Sequence, residues 1–146
     1  MSTTTDALND VVSVLKAGQE FYNDAQEKTD NGQLKSVFKE MESTRQQAIS
    51  DLEGHIEKRG DDAPEASWSE QAKATYTAAR EWFTDREGDD QLIAKLEEHE
   101  DRTLEAFRSA LNEVNNSEAH GVLTRHFTTF KETHDKMKGL KKANAA

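Results

Sequence analysis

Apolar residues recur along the chain at three- and four-residue steps, the spacing that places them on one face of an α-helix. Turn-forming stretches interrupt the pattern near residues 31, 60, 88 and 116. Four long helices are therefore predicted at about residues 6–30, 33–59, 89–114 and 117–140. A shorter helix is predicted at about residues 68–86, because Ser67-Trp68-Ser69-Glu70 has the spacing of a capping box.

The turns near residues 31 and 116 are short, so each joins its two long helices into an antiparallel hairpin. A modest repeat relates the hairpins, because alignment in phase pairs Leu15 with Leu96 and Phe38 with Phe127. A duplicated hairpin with a long crossover is the ferritin-like arrangement. The sequence thus predicts one all-α domain over residues 1–146, a ferritin-like four-helix bundle whose crossover contains the short helix.

Each long helix carries a polar residue at a core-facing position near its middle: Gln19, Arg45, Glu100 and His134. Counted from the turn of each hairpin, the two positions of each pair lie at similar depth, which predicts one buried polar layer. In this interpretation Arg45 pairs with Glu100 or Glu42, and His134 bonds to Gln19 or a water molecule. Such a layer would set helix register more than stability, because desolvation offsets much of the ion-pair attraction.

Di-iron carboxylate bundles place a Glu on each of two helices and a Glu-x-x-His pair on each of the other two at this depth. The corresponding places here hold Gln19, Glu42-x-x-Arg45, Glu100 and Lys131-x-x-His134. Arg45 and Lys131 bring positive charge to the position of the metal. The favoured hypothesis is therefore a non-catalytic bundle without a cofactor. The alternative is an iron-binding or ferroxidase-like protein with a reduced site of Glu42, Glu100 and His134.

Soft motifs accompany this layout: Gly18-x-Glu20-x-Tyr22-x-x-Ala25 in the first helix, Asp89-Asp90 at the start of the third long helix, and His134-Asp135 near the end. Over nearly its whole length the chain resembles a bacterial family of four-helix-bundle domains of unknown function in the ferritin-like superfamily. The resemblance implies a ferritin-like fold and a cytoplasmic bacterial protein expressed under stress. It implies no established activity.

Composition excludes several classes of protein. The net charge of −10 argues against nucleic acid or an anionic membrane as a partner, because phosphate binding requires clustered Lys and Arg. The absence of cysteine excludes disulfides and thiolate ligands. No stretch approaches the roughly 20 apolar residues of a membrane span. The polar segment 1–10 lacks the pattern of a signal peptide, so a cytoplasmic location is expected.

Aromatic residues concentrate on the predicted crossover helix: Trp68, Tyr76, Trp82 and Phe83. One interpretation is that this helix covers the bundle. The other is a homodimer in which these side chains are buried against a second copy, because aromatic residues dominate the energetics of interfaces.

Overall fold

The computed structural model describes residues 3–58, 88–114 and 116–145. These ranges form four helices, α1 Thr3–Lys28, α2 Gly32–Lys58, α3 Asp89–Glu113 and α4 Ser117–Ala145, and contain no strand. The prediction of an all-α four-helix bundle is confirmed. The predicted crossover helix lies outside the described residues, and so do the aromatic residues assigned to it, Trp68, Tyr76, Trp82 and Phe83.

Asparagine side chains cap the second helix of each hairpin. Asn31 Oδ1 accepts a hydrogen bond from the backbone N–H of Leu34 at 3.1 Å, and Asn116 Oδ1 accepts one from Ala119 at 3.0 Å. Each cap satisfies a backbone donor that has no partner within the helix. The two short turns therefore reverse the chain at defined residues, and both hairpins are antiparallel.

The helices form a bundle in which α1 packs against α2 and α3, and α4 packs against α3, with a thinner contact between α2 and α4. The hydroxyl of Thr29 donates to Asp89 Oδ1 at 2.6 Å, which joins the end of α1 to the start of α3. His55 lies 3.7 Å from Glu118, which places the end of α2 beside the start of α4. Consequently α2 and α3 run in the same direction, and the end of α2 and the start of α3 lie at opposite ends of the bundle.

The core consists of two apolar clusters with a polar layer between them. One cluster includes Leu8, Leu15, Leu52, Phe107 and Phe130. The other includes Tyr22, Phe38, Ile93, Leu96 and Met137. Arg45 and Glu100 are buried at the junction of the two clusters. Within the described ranges, no helix is both long and apolar enough to cross a membrane.

Candidate functional site

A buried ion pair connects α2 and α3 through the middle of the bundle. The side chains of Arg45 and Glu100 are each 1% exposed, and Arg45 Nη2 donates to Glu100 Oε2. The same nitrogen donates to the hydroxyl of Thr103 at 3.2 Å. Because α2 and α3 are diagonal rather than adjacent in the bundle, this pair spans its centre.

The guanidinium of Arg45 is enclosed by α1 and α4. It packs against the backbone of Gly18, where an added Cβ would lie 2.5 Å from Arg45 Cζ. Its Cζ lies 5.4 Å from the ring centre of Tyr22 and 5.1 Å from that of Phe130. Aromatic faces attract cations at these distances. All four helices therefore contribute to the pocket that holds one guanidinium.

Thr103 links the ion pair to the backbone of α3. Its hydroxyl donates its proton to the carbonyl of His99 at 2.9 Å, which leaves the oxygen lone pairs free to accept from Arg45. The hydroxyl is thus used both as a donor and as an acceptor. Thr103 is 1% exposed, so no solvent competes for either bond.

His99 is a second buried titratable group beside this layer. Its Nε2 lies 3.3 Å from the carbonyl oxygen of Val14. Its ring packs edge to face against that of Phe21, with 4.7 Å between the ring centres. Burial lowers the pKa of His99 well below its ordinary value, and the charge of Arg45 lowers it further. His99 is therefore neutral at pH 7 and donates through Nε2 to Val14.

Tyr22 completes the layer. Burial raises the pKa of its phenol well above the ordinary value, and the charge of Glu100 raises it further, while Arg45 acts in the opposite direction. The phenol is thus neutral at pH 7. Within the layer, Arg45 Nη1 and Glu100 Oε1 make no hydrogen bond to another described residue. Such unmet capacity makes the layer costly to bury.

The structure places Gln19 and His134 at the bundle surface rather than in the buried layer, so this part of the sequence interpretation is corrected. Gln19 is one position beyond Gly18, the residue that faces the core, and its amide donates to Gln46. The imidazole of His134 turns toward Asp101, whose Oδ1 is 2.6 Å from Nε2. Neither side chain reaches Arg45.

The sequence pattern did not predict four residues of the layer: Gly18, Tyr22, His99 and Thr103. Gly18 carried only a weak signal. A glycine inside a helix costs about 1 kcal/mol relative to alanine, but Gly54, Gly121 and Gly139 also lie inside helices and have no atom near an added Cβ. Tyr22 and Thr103 occupy apolar-stripe positions, where nothing distinguishes them from ordinary core residues. His99 directly precedes Glu100 in the sequence, and the side chains of both residues are buried.

The structure does not bring together the alternative iron ligands Glu42, Glu100 and His134. Glu42 accepts a hydrogen bond from Gln26 at 3.2 Å, Glu100 binds Arg45, and His134 lies beside Asp101 at the surface. The layer also does not suit a di-iron centre, because the permanent charge of Arg45 takes up a carboxylate oxygen of Glu100.

A different set of potential ligands converges between α3 and α4. One donor atom each from Glu97, Asp101 and His134 lies within 4.8 Å of the others. Glu97 and Asp101 are close to Glu100 in the sequence, but with His134 they lie along the α3–α4 contact and outside the buried layer.

Comparison with known proteins identifies the family of the chain. A family model described as a domain of unknown function (DUF2383) matches residues 3–113, which include Gly18, Arg45 and Glu100. Helix α4, with Phe130 and His134, lies beyond the matched segment. No curated protein gives a significant match to the chain. Because the match spans most of the 146 residues, the chain belongs to the DUF2383 family.

Proposed function

We propose that this chain is a non-catalytic, ferritin-like bundle protein in which the Arg45–Glu100 pair takes the place of a di-iron centre. The observation that carries the proposal is the buried guanidinium at the centre of the bundle, bonded across the diagonal to Glu100 and packed against Gly18. A divalent cation there would lie beside a permanent positive charge and compete with it for the same carboxylate.

The topology of the described helices supports the ferritin-like part of the proposal. In that arrangement two antiparallel hairpins are joined by one long crossover. Here α2 and α3 run in the same direction, and residues 59–87 join ends that lie at opposite ends of the bundle. A simple up-down-up-down bundle would instead have a short connection at one end.

The role of the ion pair in this proposal is to specify which helices pair and in which register. Removing two charges from water costs several kcal/mol per ion, so a buried pair adds little net stability. A shifted helix would separate Arg45 from Glu100 and leave two buried charges without partners. The pair therefore acts mainly by destabilising wrong arrangements.

A cytoplasmic bacterial setting and a role under stress belong to the proposal through the resemblance described above. The net charge of −10 supports a protein without nucleic-acid partners. Homodimer formation through Trp68, Tyr76, Trp82 and Phe83 is a further element of the proposal, supported by the aromatic content of that segment.

Iron loading tests the proposal. Wild type, Arg45→Ala, Glu100→Gln and Asp101→Asn are incubated anaerobically with ferrous iron, desalted and analysed for metal. The proposal predicts that the iron content of the wild type is the same as that of Glu100→Gln. Iron gained only by Arg45→Ala would support Arg45 as the group that excludes metal. Iron retained by the wild type, lost in Glu100→Gln and kept in Asp101→Asn would overturn the proposal.

A further inference from the structure

We propose that Glu97, Asp101 and His134 form a site for a divalent transition-metal ion of the zinc class on the α3–α4 face. Glu97 and Asp101 are one helical turn apart on α3, and His134 reaches them from α4. One ligand atom from each lies within 4.8 Å of the other two, a separation that a single ion can bridge with small rotamer changes. The site is separate from the buried layer and does not depend on the function proposed above.

The ring of His134 lies between two carboxylates. Its Nε2 lies 2.6 Å from Asp101 Oδ1, and its Nδ1 lies 3.4 Å from Asp135 Oδ1. Both ring nitrogens thus face carboxylate oxygens, although a neutral imidazole has only one N–H to donate. The 2.6 Å contact is a hydrogen bond, and a metal ion that binds both side chains would replace its proton after Nε2 and Oδ1 move apart by less than about 1 Å.

Asp135 offers a hydrogen-bond acceptor for the Nδ1–H tautomer that a metal ion on Nε2 would require. With the proton on Nδ1 donated to Asp135, the lone pair of Nε2 is directed toward Asp101 and Glu97. Metal-binding histidines characteristically donate their other N–H to a carboxylate in this way, which orients the ring and raises its basicity. Asp135 thus has the place of an outer-shell partner rather than a ligand.

Burial and charge also favour a bound cation. The side chains of His134 and Glu97 are 17% and 15% exposed, whereas that of Asp101 is 59% exposed. Two side chains are therefore held by their surroundings, and one side of the site is open for water ligands. The carboxylates of Glu97, Asp101 and Asp135 make the site negative when His134 is neutral.

The donor set indicates the class of metal. One imidazole nitrogen with carboxylate oxygens suits Zn²⁺, Co²⁺, Ni²⁺ or Cu²⁺, whereas Mg²⁺ and Ca²⁺ prefer oxygen ligands alone. Three protein ligands leave at least one coordination position for water.

Lys141 is the competitor at this site. Its Nζ lies 3.5 Å from Glu97 Oε2, and its side chain is 51% exposed. An exposed pair of this kind contributes little free energy, so a divalent ion can displace the ammonium group. Removing the positive charge of Lys141 is therefore expected to tighten metal binding.

Titration of the full chain with Zn²⁺ by calorimetry, and with Co²⁺ by visible absorption, tests the site. About one equivalent is expected to bind, with at least about tenfold weaker binding in Asp101→Asn and in His134→Gln. Lys141→Gln is expected to bind several-fold more tightly.

His126→Gln is the matched control. His126 makes a similar contact on another face, with Nε2 2.6 Å from Asp51 Oδ2, and its loss should leave the affinity unchanged. Circular dichroism verifies that each surface variant keeps its helices. The proposal is overturned by the absence of saturable binding, by equal affinity in wild type, Asp101→Asn and His134→Gln, or by weakening in His126→Gln alone.

Discussion

The guanidinium of Arg45 occupies the space that a side chain at position 18 would take. A Cβ built on Gly18 would lie 2.5 Å from both Cζ and Nη1 of Arg45, well inside van der Waals contact. Helix α1 therefore accommodates the charged group of α2 only because position 18 has no side chain. The glycine and the arginine form a matched pair.

Gly18→Ala should consequently destabilise the protein. Overpacking costs about 1–3 kcal/mol, and the higher helix propensity of alanine returns about 1 kcal/mol of this. Urea denaturation gives the free energy of unfolding. Gly54→Ala is the control, because position 54 is exposed with no atom near its added Cβ, and it should gain about 0.5–1 kcal/mol.

An equal gain in both alanine variants would contradict the packing of Arg45 against Gly18. A further check combines Gly18→Ala with Arg45→Ala. Once the guanidinium is gone, the alanine at position 18 should no longer be destabilising.

His99 should make the protein sensitive to mild acid. Its pKa in the folded chain is well below that in the unfolded chain, which is about 6.5. Below about pH 6.5 the unfolded chain therefore binds a proton that the folded chain does not, and stability falls with pH. This group contributes up to about 1.4 kcal/mol per pH unit until the pH reaches the folded pKa.

Urea denaturation of wild type and His99→Gln between about pH 7 and pH 5 measures this contribution. The variant should show the smaller loss of stability with falling pH. His120→Gln, at an exposed position, should retain the slope of the wild type. Parallel curves for wild type and His99→Gln would show that His99 is not held neutral in the folded chain.

Tyr22 should remain un-ionised where an exposed tyrosine loses its proton. Burial and the charge of Glu100 raise the pKa of its phenol above the ordinary value of about 10. Above about pH 10 the unfolded chain releases a proton that folded Tyr22 retains, so stability falls as the pH rises. In an ultraviolet titration, wild type and Tyr22→Phe should match until the alkaline unfolding transition. An extra phenol titrating near pH 10 in the folded wild type would refute the burial of Tyr22.

The helices and part of the polar layer follow directly from the sequence. The three- and four-residue apolar spacing locates the helices, and short turns that contain Asn separate the two helices of each hairpin. Arg45 and Glu100 interrupt the apolar stripes near the middle of their helices. Long charged side chains at such positions stand out in the sequence itself. Both belong to segments whose flanking residues, Met41, Ala48, Leu96 and Leu104, are buried.

The other residues of the layer could not be predicted, because an apolar pattern fixes the core-facing position of a helix only to within about one residue. Gln19 and Gly18 are adjacent, and only the fold determines that the glycine faces the core. His134 follows the buried Phe130 by one turn, yet its ring turns to the carboxylate of Asp101. That choice depends on a residue of another helix, which a pattern along one helix does not contain.

A double-mutant cycle on Arg45→Met and Glu100→Gln tests the central claim most directly. Each single variant should lose about 3–5 kcal/mol of unfolding free energy, because one buried charge is left without its partner. The double variant should lose less than the sum by more than about 1 kcal/mol. The exposed pair of Arg102 and Glu98, 3.0 Å apart, is the control and should couple by no more than about 1 kcal/mol. Losses for Arg45→Met and Glu100→Gln that add within about 0.5 kcal/mol would contradict a buried ion pair at the centre of the bundle.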